Sequence, residues 1–230
     1  YVSQGIPFGL AMEALPASLR HAGTDLRALA WLPLVGLPRV LKWLWAPTVD
    51  NHWSRRIGRR RSWILPMQFL VLASLLAVGL LGLSAGTLAW ILGLAVTASL
   101  ASATQDVATD ALVAEQFPQA SLPAANAIQV ASTMVGFFYG GPVFLTLYGT
   151  LGLTWAVLGL ALPIAASLAL MLSWREPEAL QTAARESKAS QWRFLRSGRY
   201  AWALVVAACL SAITVVACHG LGKLLLVDAQ

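Results

Sequence analysis

The stretch "VDNHWSRRIGRRRSW", residues 49–63, places five arginines within seven residues, between two segments that are almost free of charge. With 58% hydrophobic and 11% charged residues and a mean hydropathy of +0.68, the chain is far more apolar than a soluble domain. In soluble domains about a quarter of the residues are charged. We therefore interpret the arginine stretch as a loop between segments that lie in a lipid bilayer.

The segments on either side have the length and pattern of membrane helices. Residues 62–105 and 116–174 contain no Asp, Glu, Lys or Arg, and each is long enough for two helices of about 20 residues. The turns "GLSAGT" at 82–87 and "YGTLGLT" at 148–154 divide each segment into a hairpin. A membrane β-barrel would show alternating segments of about ten residues instead. The sequence predicts an all-α membrane protein with spans at 1–19, 29–49, 63–83, 88–109, 124–147, 153–173 and 200–221.

The distribution of positive charge gives these spans an orientation. Strict alternation puts the loops at 51–61 and 175–199 on one face, and they hold five and six of the 16 lysines and arginines. Basic loops favour the cytoplasm, so both loops are predicted to be cytoplasmic in a multi-pass protein of the bacterial inner membrane. The formal charge of +6 then reflects topology and attraction to anionic lipid. We expect no nucleic-acid partner.

The order of spans and loops predicts a division into halves. Residues 1–174 form a six-helix N-terminal half, 175–199 a linker, and 200–230 the first helix of a C-terminal half. Two such halves are the plan of the major facilitator superfamily, which implies a helical bundle with seven of twelve helices present. Since residue 1 is Tyr and the seventh span is unpaired, we expect a fragment of a longer protein.

The resemblance to that superfamily becomes specific in the loop "APTVDNHWSRRIGRRRSW" at 46–63. It resembles the signature between helices two and three, roughly Gly-x-x-x-Asp-Arg-x-Gly-Arg-Arg, which Asp50, Gly58, Arg59 and Arg60 match. The loop departs from the pattern in having Ala at position 46, Asn after the Asp, and a longer spacer before the second Gly.

Three further segments resemble one subgroup of the superfamily. "LKWLWAP" at 41–47 and "ATQDVATDA" at 103–111 are similar to the subgroup that contains muropeptide and siderophore permeases, and "YVSQGIPFGLAMEALPASLR" at 1–20 resembles its siderophore branch. The resemblance implies a secondary transporter that imports a siderophore of the pyochelin type by proton symport and alternating access. Muropeptide import is the alternative.

The signature residues are candidates for a cytoplasmic gate. A gate that closes and parts in each transport cycle needs bonds that are charged, numerous and accessible to water. Asp50 lies at a helix C-terminus, where the helix dipole disfavours an anion, so pairing with Arg59 or Arg60 would compensate. The alternative is a plain basic loop that only sets topology, which is our interpretation of Arg55, Arg56 and Arg61.

Charged residues inside spans are the candidates for proton coupling. Glu13 falls halfway through the first span, where a carboxyl group can bind and release a proton, although a structural hydrogen bond would also explain it. Asp106 and Asp110 are four residues apart and share one helical face, which favours a charge-relay and packing site in which one of the two could also titrate during transport. Their available cations are Arg39 and Lys42. The alternative for Asp110 is an exposed helix end. Substrate or charge-partner candidates are Arg39, Lys42, Trp43, Trp45 and His219.

The remaining signals point away from catalysis. Cys209 and Cys218 lie in one apolar segment without CxxC spacing, so they indicate neither a disulfide framework nor a metal site. No clustered catalytic set is found, and we expect no enzyme activity and no cofactor. The expected partners are a small-molecule substrate and the lipid bilayer, with the protein as a monomer. Gly136 and Gly140 form a GxxxG pair that permits close helix packing.

Overall fold

The computed structural model describes residues 1–21, 23, 32–54, 56–177, 206, 209 and 210. The predicted linker after residue 177 and nearly all of the seventh span lie outside these residues. His219, a candidate for substrate contact, lies outside them as well.

The described residues from 1 to 177 hold six helices, α1–α6, and the described part of the chain contains no β-strand, so the all-α prediction is confirmed. Several are built from consecutive segments. They are α1 (Val2–Gly9, a π-helical turn at Leu10–Ala14, and Leu15–His21), α2 (Leu32–Gly36 and Lys42–Leu44 as 3₁₀ turns, Leu37–Leu41 and Ala46–Asn51 as α-helix), α3 (Arg61–Leu81), α4 (Leu88–Gln116), α5 (Leu122–Phe138, a π-helical turn at Tyr139–Val143, and Phe144–Leu151) and α6 (Leu153–Ser173).

Helix boundaries differ from the sequence-based spans in two places that bear on function. α4 continues to Gln116, seven residues beyond the predicted end at 109. α2 is a chain of short segments rather than one span, with Pro38 and Pro47 near the starts of its two α-helical pieces. Proline lacks the N–H that would continue the preceding helix, which explains the interruptions. α6 has the predicted bounds.

Four helical stretches of the described residues are long and apolar enough to cross a membrane: Arg61–Leu81, Leu88–Gln116, Gln119–Leu151 and Leu153–Ser173. Their outward faces are strongly apolar, with Leu80 and Leu162 being 89% and 72% exposed. The interior instead buries polar side chains such as Gln4, Gln68 and Asp106. An apolar outside and a partly polar inside fit a bundle whose solvent is lipid.

Glycines bring α1 and α5 into backbone contact. A Cβ at Gly136 or Gly140 of α5 would overlap the carbonyl oxygen of Val2 or Ile6 in α1, and Gly9 of α1 lies equally close to the backbone of α5. The predicted close approach at the GxxxG pair is therefore present, and its partner is α1. Such close contact permits extensive van der Waals packing between helices in lipid.

Candidate functional site

Charged side chains from α2, the α2–α3 loop and α4 meet at one end of the bundle, which we call the arginine side. Arg60 is 2% exposed and lies at their centre. Its Nη1 donates to Asp50 Oδ1 at 2.6 Å, and its Nε donates to Glu115 Oε2 at 3.2 Å. Arg59 Nη1 donates to Glu115 Oε1 at 3.0 Å. These four residues, with Glu176, are named the arginine-loop network.

The pairing of Asp50 is mainly with Arg60. Arg59 Nη2 lies 3.9 Å from Asp50 Oδ1, beyond hydrogen-bond distance, and donates instead to the Asp50 backbone oxygen at 3.4 Å. One guanidinium therefore bridges two carboxylates on different helices, since Asp50 belongs to α2 and Glu115 to α4. Such forked, charge-assisted contacts are the strong ones among ion pairs.

Glu115 belongs to the arginine-loop network, but the sequence analysis did not identify it as a candidate. The predicted end of the fourth span at 109 placed it in a loop, far from any pairing role. The residues from Asp110 to Gln116 include Ala, Leu, Glu and Gln, which favour helix, and Pro118 follows as a stop. These residues predict that the helix continues to about residue 116, where it ends in the structure.

Arg60 keeps its charge in this setting. Burial by itself would lower the pKa of its guanidinium, but hydrogen bonds to Glu115 and Asp50 raise that pKa above its ordinary value. The network therefore cannot open by titration of Arg60. Movement of the helices that carry the carboxylates away from the loop would part the network.

Glu176, just after α6, holds the same loop from its backbone. Its Oε2 accepts the N–H groups of Arg60 at 3.0 Å and Arg61 at 3.4 Å, which caps the N-terminus of α3. Gly58 has φ +109°, and a Cβ there would lie 2.5 Å from Glu176 Oε2. The beginning of the second basic loop thus rests on the first, as expected if both lie on one face.

Replacing Gly58 with Ala should lower the free energy of unfolding by about 1 to 3 kcal/mol, because a positive φ and the clash with Glu176 act together. The matched control is Gly82→Ala, which has φ +76° but nothing within 4 Å. Thermal unfolding of both variants checks this expectation. Equal losses at the two glycines would show that the Glu176 contact contributes nothing.

A second set of charges, the lysine cluster, lies inside the bundle and consists of Lys42, Asp106 and Asp110. Lys42 Nζ donates to the carboxylate of Asp106 and, at 3.1 Å, to Asp110 Oδ2. The Asp106 side chain is 7% exposed and that of Asp110 is 35% exposed. With all three groups ionised, one positive charge faces two negative charges.

Neutral donors complete the environment of Asp110. Gln129 Nε2 donates to its Oδ1 at 2.7 Å, and the Tyr1 hydroxyl donates to the same atom at 3.3 Å. A groove of about 530 Å³ opens beside Asp110 between α4 and α5, with Asn126 and Gln129 in its lining. Since α4 continues six residues beyond Asp110, the alternative of an exposed helix end is wrong.

The other predicted residues are spread around this cluster. Arg39 does not reach Asp106 or Asp110; its guanidinium carbon lies 5.1 Å from the centre of the Phe8 ring. Trp45 Nε1 donates to Thr104 Oγ1 at 3.1 Å and ties α2 to α4, while Trp43 is half-buried.

Glu13 lies in the π-helical turn of α1, a type of irregularity that is frequent at functional sites. It is half-buried, and its Cβ lies 3.0 Å from where a Cβ of Gly141 would be. This contact places Glu13 at the interface with the π-helical turn of α5. The Cβ and Cγ of Glu13 therefore pack between the irregular turns of α1 and α5.

Comparisons with known proteins find a transporter family, a permease and a further membrane protein. Residues 1–89 match the family described as Acetyl-coenzyme A transporter 1. The anhydromuropeptide permease of Escherichia coli K12 is 34% identical over 166 residues, which cover 70% of this chain and 33% of the permease. An uncharacterised membrane protein of Saccharomyces cerevisiae is 33% identical over 172 residues, covering 64% of this chain and 30% of that protein.

The chain spans about a third of the length of these curated relatives. The similarities support a multi-pass membrane permease of the major facilitator type. None of these relatives is described as a siderophore permease, so the expectation of a siderophore branch has no support from them.

Proposed function

We propose that this chain is part of a permease that imports anhydromuropeptides, the alternative substrate class of the sequence analysis, by alternating access. The observation that carries the proposal is the 34% identity to an anhydromuropeptide permease through 70% of the chain. The division into a six-helix half, a linker from 175 to 199 and a second half is part of the same proposal. So are the location in a bacterial inner membrane and the monomeric state.

In this proposal the arginine-loop network is the cytoplasmic gate. It joins α2, α4 and the loop before α3 by ion pairs at one end of the bundle, and the Asp50 and Glu115 side chains remain 20% and 26% exposed. Water can therefore reach the carboxylates and replace the arginines when the helices part. The excess of arginine on this side supports its assignment to the cytoplasm.

Proton coupling is proposed for the intramembrane carboxyl groups. Glu13 is the first candidate, because it lies deep in α1 at an irregular turn. Asp110 with Asp106 is the second, because Lys42 neutralises only one of the two negative charges and a proton would neutralise the other. Intramembrane carboxylates of transporters commonly act in proton relays.

The test of the proposal is uptake by the full-length protein. Cells that lack their own permease and produce this protein should accumulate labelled anhydromuropeptide, and accumulation should require a proton gradient. The same cells should be offered a labelled pyochelin-type iron chelate. Uptake of the chelate without uptake of anhydromuropeptide would overturn the proposal in favour of siderophore import.

Replacing Glu13 with Gln should abolish gradient-driven accumulation while leaving exchange of substrate without a gradient. Gln has the shape and the hydrogen-bonding groups of a protonated Glu but cannot release a proton. Liposomes containing the full-length protein, with and without an imposed pH gradient, give the measurement. Asp110→Asn is the comparison: if it alone separates accumulation from exchange, the lysine cluster carries the proton and Glu13 does not.

A further inference from the structure

Arg39 occupies a depth at which an ionised side chain is costly. It lies in α2, twelve residues before the end of that helix at Asn51 on the arginine side. With about 1.5 Å per residue in the α-helical pieces and about 2.0 Å in the 3₁₀ turn, this stretch is about 20 Å long, which places Arg39 inside a hydrocarbon core of about 30 Å. Cations at such a depth face a bundle interior or a water-filled path, and they are paired or functional.

The described part of the chain gives Arg39 no carboxylate partner. The ion pairs within 4 Å in the described part of the chain have Lys42, Arg59 and Arg60 as their cations, and Arg39 takes part in none of them. Glu13, at a comparable depth in α1, packs towards Gly141 of α5. The observed neighbour of the guanidinium is the face of Phe8, at 5.1 Å.

The aromatic ring leaves the guanidinium able to bind an anion. The attraction between a guanidinium and an aromatic face orients the Arg39 side chain and partly stabilises its charge. A ring on one face does not use the N–H donors, which point outward in the plane of the group. Those donors match the two oxygens of a carboxylate or a phosphate.

Nearby hydroxyl groups are directed elsewhere. Ser99 donates its hydroxyl proton to the carbonyl oxygen of Val35, and Ser102 donates to that of Gln4 at 3.1 Å. Both serines line a small cavity with Arg39 and Phe8. Their protons are thus committed to the helix backbones, and the guanidinium is the group in this cavity that carries a positive charge.

Lys42, one helical turn away, has the opposite electrostatic setting. It is bound by Asp106 and Asp110, so its surroundings carry a net negative charge when all three groups are ionised. That charge repels an anion and favours a proton or a cation. The two cations of α2 are therefore suited to different ligands.

We propose that Arg39, oriented by Phe8, binds the anionic group of the transported substrate, a carboxylate or a phosphate. The inference rests on the proposed transport function and adds to it the charge of the substrate and the residue that recognises it. When the anion is bound, the guanidinium gains the counter-charge that the described chain does not supply. A neutral substrate would leave it uncompensated.

The test uses purified full-length protein and three probes. These are an anhydromuropeptide with free carboxylates, the same compound with its carboxylates converted to amides, and acetyl-CoA as the phosphate-bearing probe. We expect Arg39→Gln to weaken binding of the anionic probe that the wild type recognises by about 100-fold and to leave binding of the amide unchanged. Arg39→Lys keeps the positive charge but loses the planar pair of N–H donors, so it should weaken binding of the anionic probe less than Arg39→Gln does.

The matched control is Arg20→Gln, which makes the same change at an exposed arginine near the C-terminal end of α1. If Arg39→Gln does not fold, Phe8→Leu gives the second comparison, because it keeps the charge and removes the ring. Phe8→Leu should weaken anion binding several-fold.

Each outcome bears on either the inference or the proposed function. Arg39-dependent binding of acetyl-CoA without binding of anhydromuropeptide would refute the proposed function and support the inference. Equal affinity of wild type and Arg39→Gln for the recognised anion would overturn the inference, and so would a wild type that binds neither anion.

Discussion

Replacing Arg60 with Gln is expected to reduce transport by more than about tenfold and to lower the free energy of unfolding by about 3 kcal/mol. Arg60 is almost fully buried and bridges Asp50 and Glu115, so its loss removes the guanidinium that joins the two carboxylates. Arg59 remains, but it lies 3.0 Å from Glu115 and 3.9 Å from Asp50. Removing one partner of a buried ion pair costs more than the pair contributes, because the remaining charge stays desolvated. Uptake by the full-length protein and its thermal unfolding are the measurements.

The matched control for Arg60 is Arg56→Gln, an exposed arginine of the same loop. If Arg60→Gln transports and unfolds like Arg56→Gln, the network is a topology signal and not a gate. Arg60→Lys should be intermediate, because a lysine keeps the charge but cannot bind both carboxylates with a planar fork. Asp50→Asn should impair transport less than Arg60→Gln, since Glu115 still binds both arginines.

A second measurement separates gating from stability. Ser102 is buried and lines the cavity beside Arg39. In full-length protein whose native cysteines are replaced by Ser, a Cys at this position should react faster with a thiol reagent applied from the arginine side in Arg60→Gln than in the wild type. If Arg60→Gln destabilises the protein without opening the gate, the labelling rate will equal that of the wild type at temperatures where both proteins are folded.

Replacing Gly140 with Ala is expected to lower the free energy of unfolding by about 3 kcal/mol, the upper end for an overpacked interior. Its new Cβ would overlap the carbonyl oxygen of Ile6, which belongs to the backbone of α1 and cannot rotate away. The two helices would have to separate along the whole contact. Thermal unfolding of the full-length protein in detergent measures the loss.

The same helix offers a control for Gly140. A Cβ at Gly149 would have nothing within 4 Å of it, so Gly149→Ala should be neutral or slightly stabilising, because Ala favours helix over Gly. Gly9→Ala, which meets the Phe137 carbonyl from the other helix, should behave like Gly140→Ala. Wild-type stability for both Gly140→Ala and Gly9→Ala would contradict the close backbone contact of α1 and α5.

Proline and helix length account for the main differences between the predicted and observed helices. The pattern of hydropathy located α6 with its correct bounds, because an uninterrupted apolar segment between turns leaves little choice. It treated α2 as one span, although Pro38 and Pro47 interrupt it, since hydropathy does not register a missing N–H. It also ended α4 too early, at the place where polar residues begin.

The amino-acid sequence by itself determined the all-α class and the membrane segments. It also identified the loop in which Asp50, Arg59 and Arg60 meet, because hydropathy and short-range spacing are local properties of the chain. Only the tertiary structure decided which distant groups pair: Glu115 lies 55 residues from Arg60 and Glu176 lies 116 residues from it.

The same holds for the two cations of α2. Three residues apart, Arg39 and Lys42 are equivalent by spacing, yet packing against α4 gives Lys42 two carboxylates and packing against α1 gives Arg39 an aromatic ring. The physical reason is that an ion pair depends on a separation of a few ångströms between side chains. That separation is set by how whole helices pack, and the order of residues along one helix does not specify it.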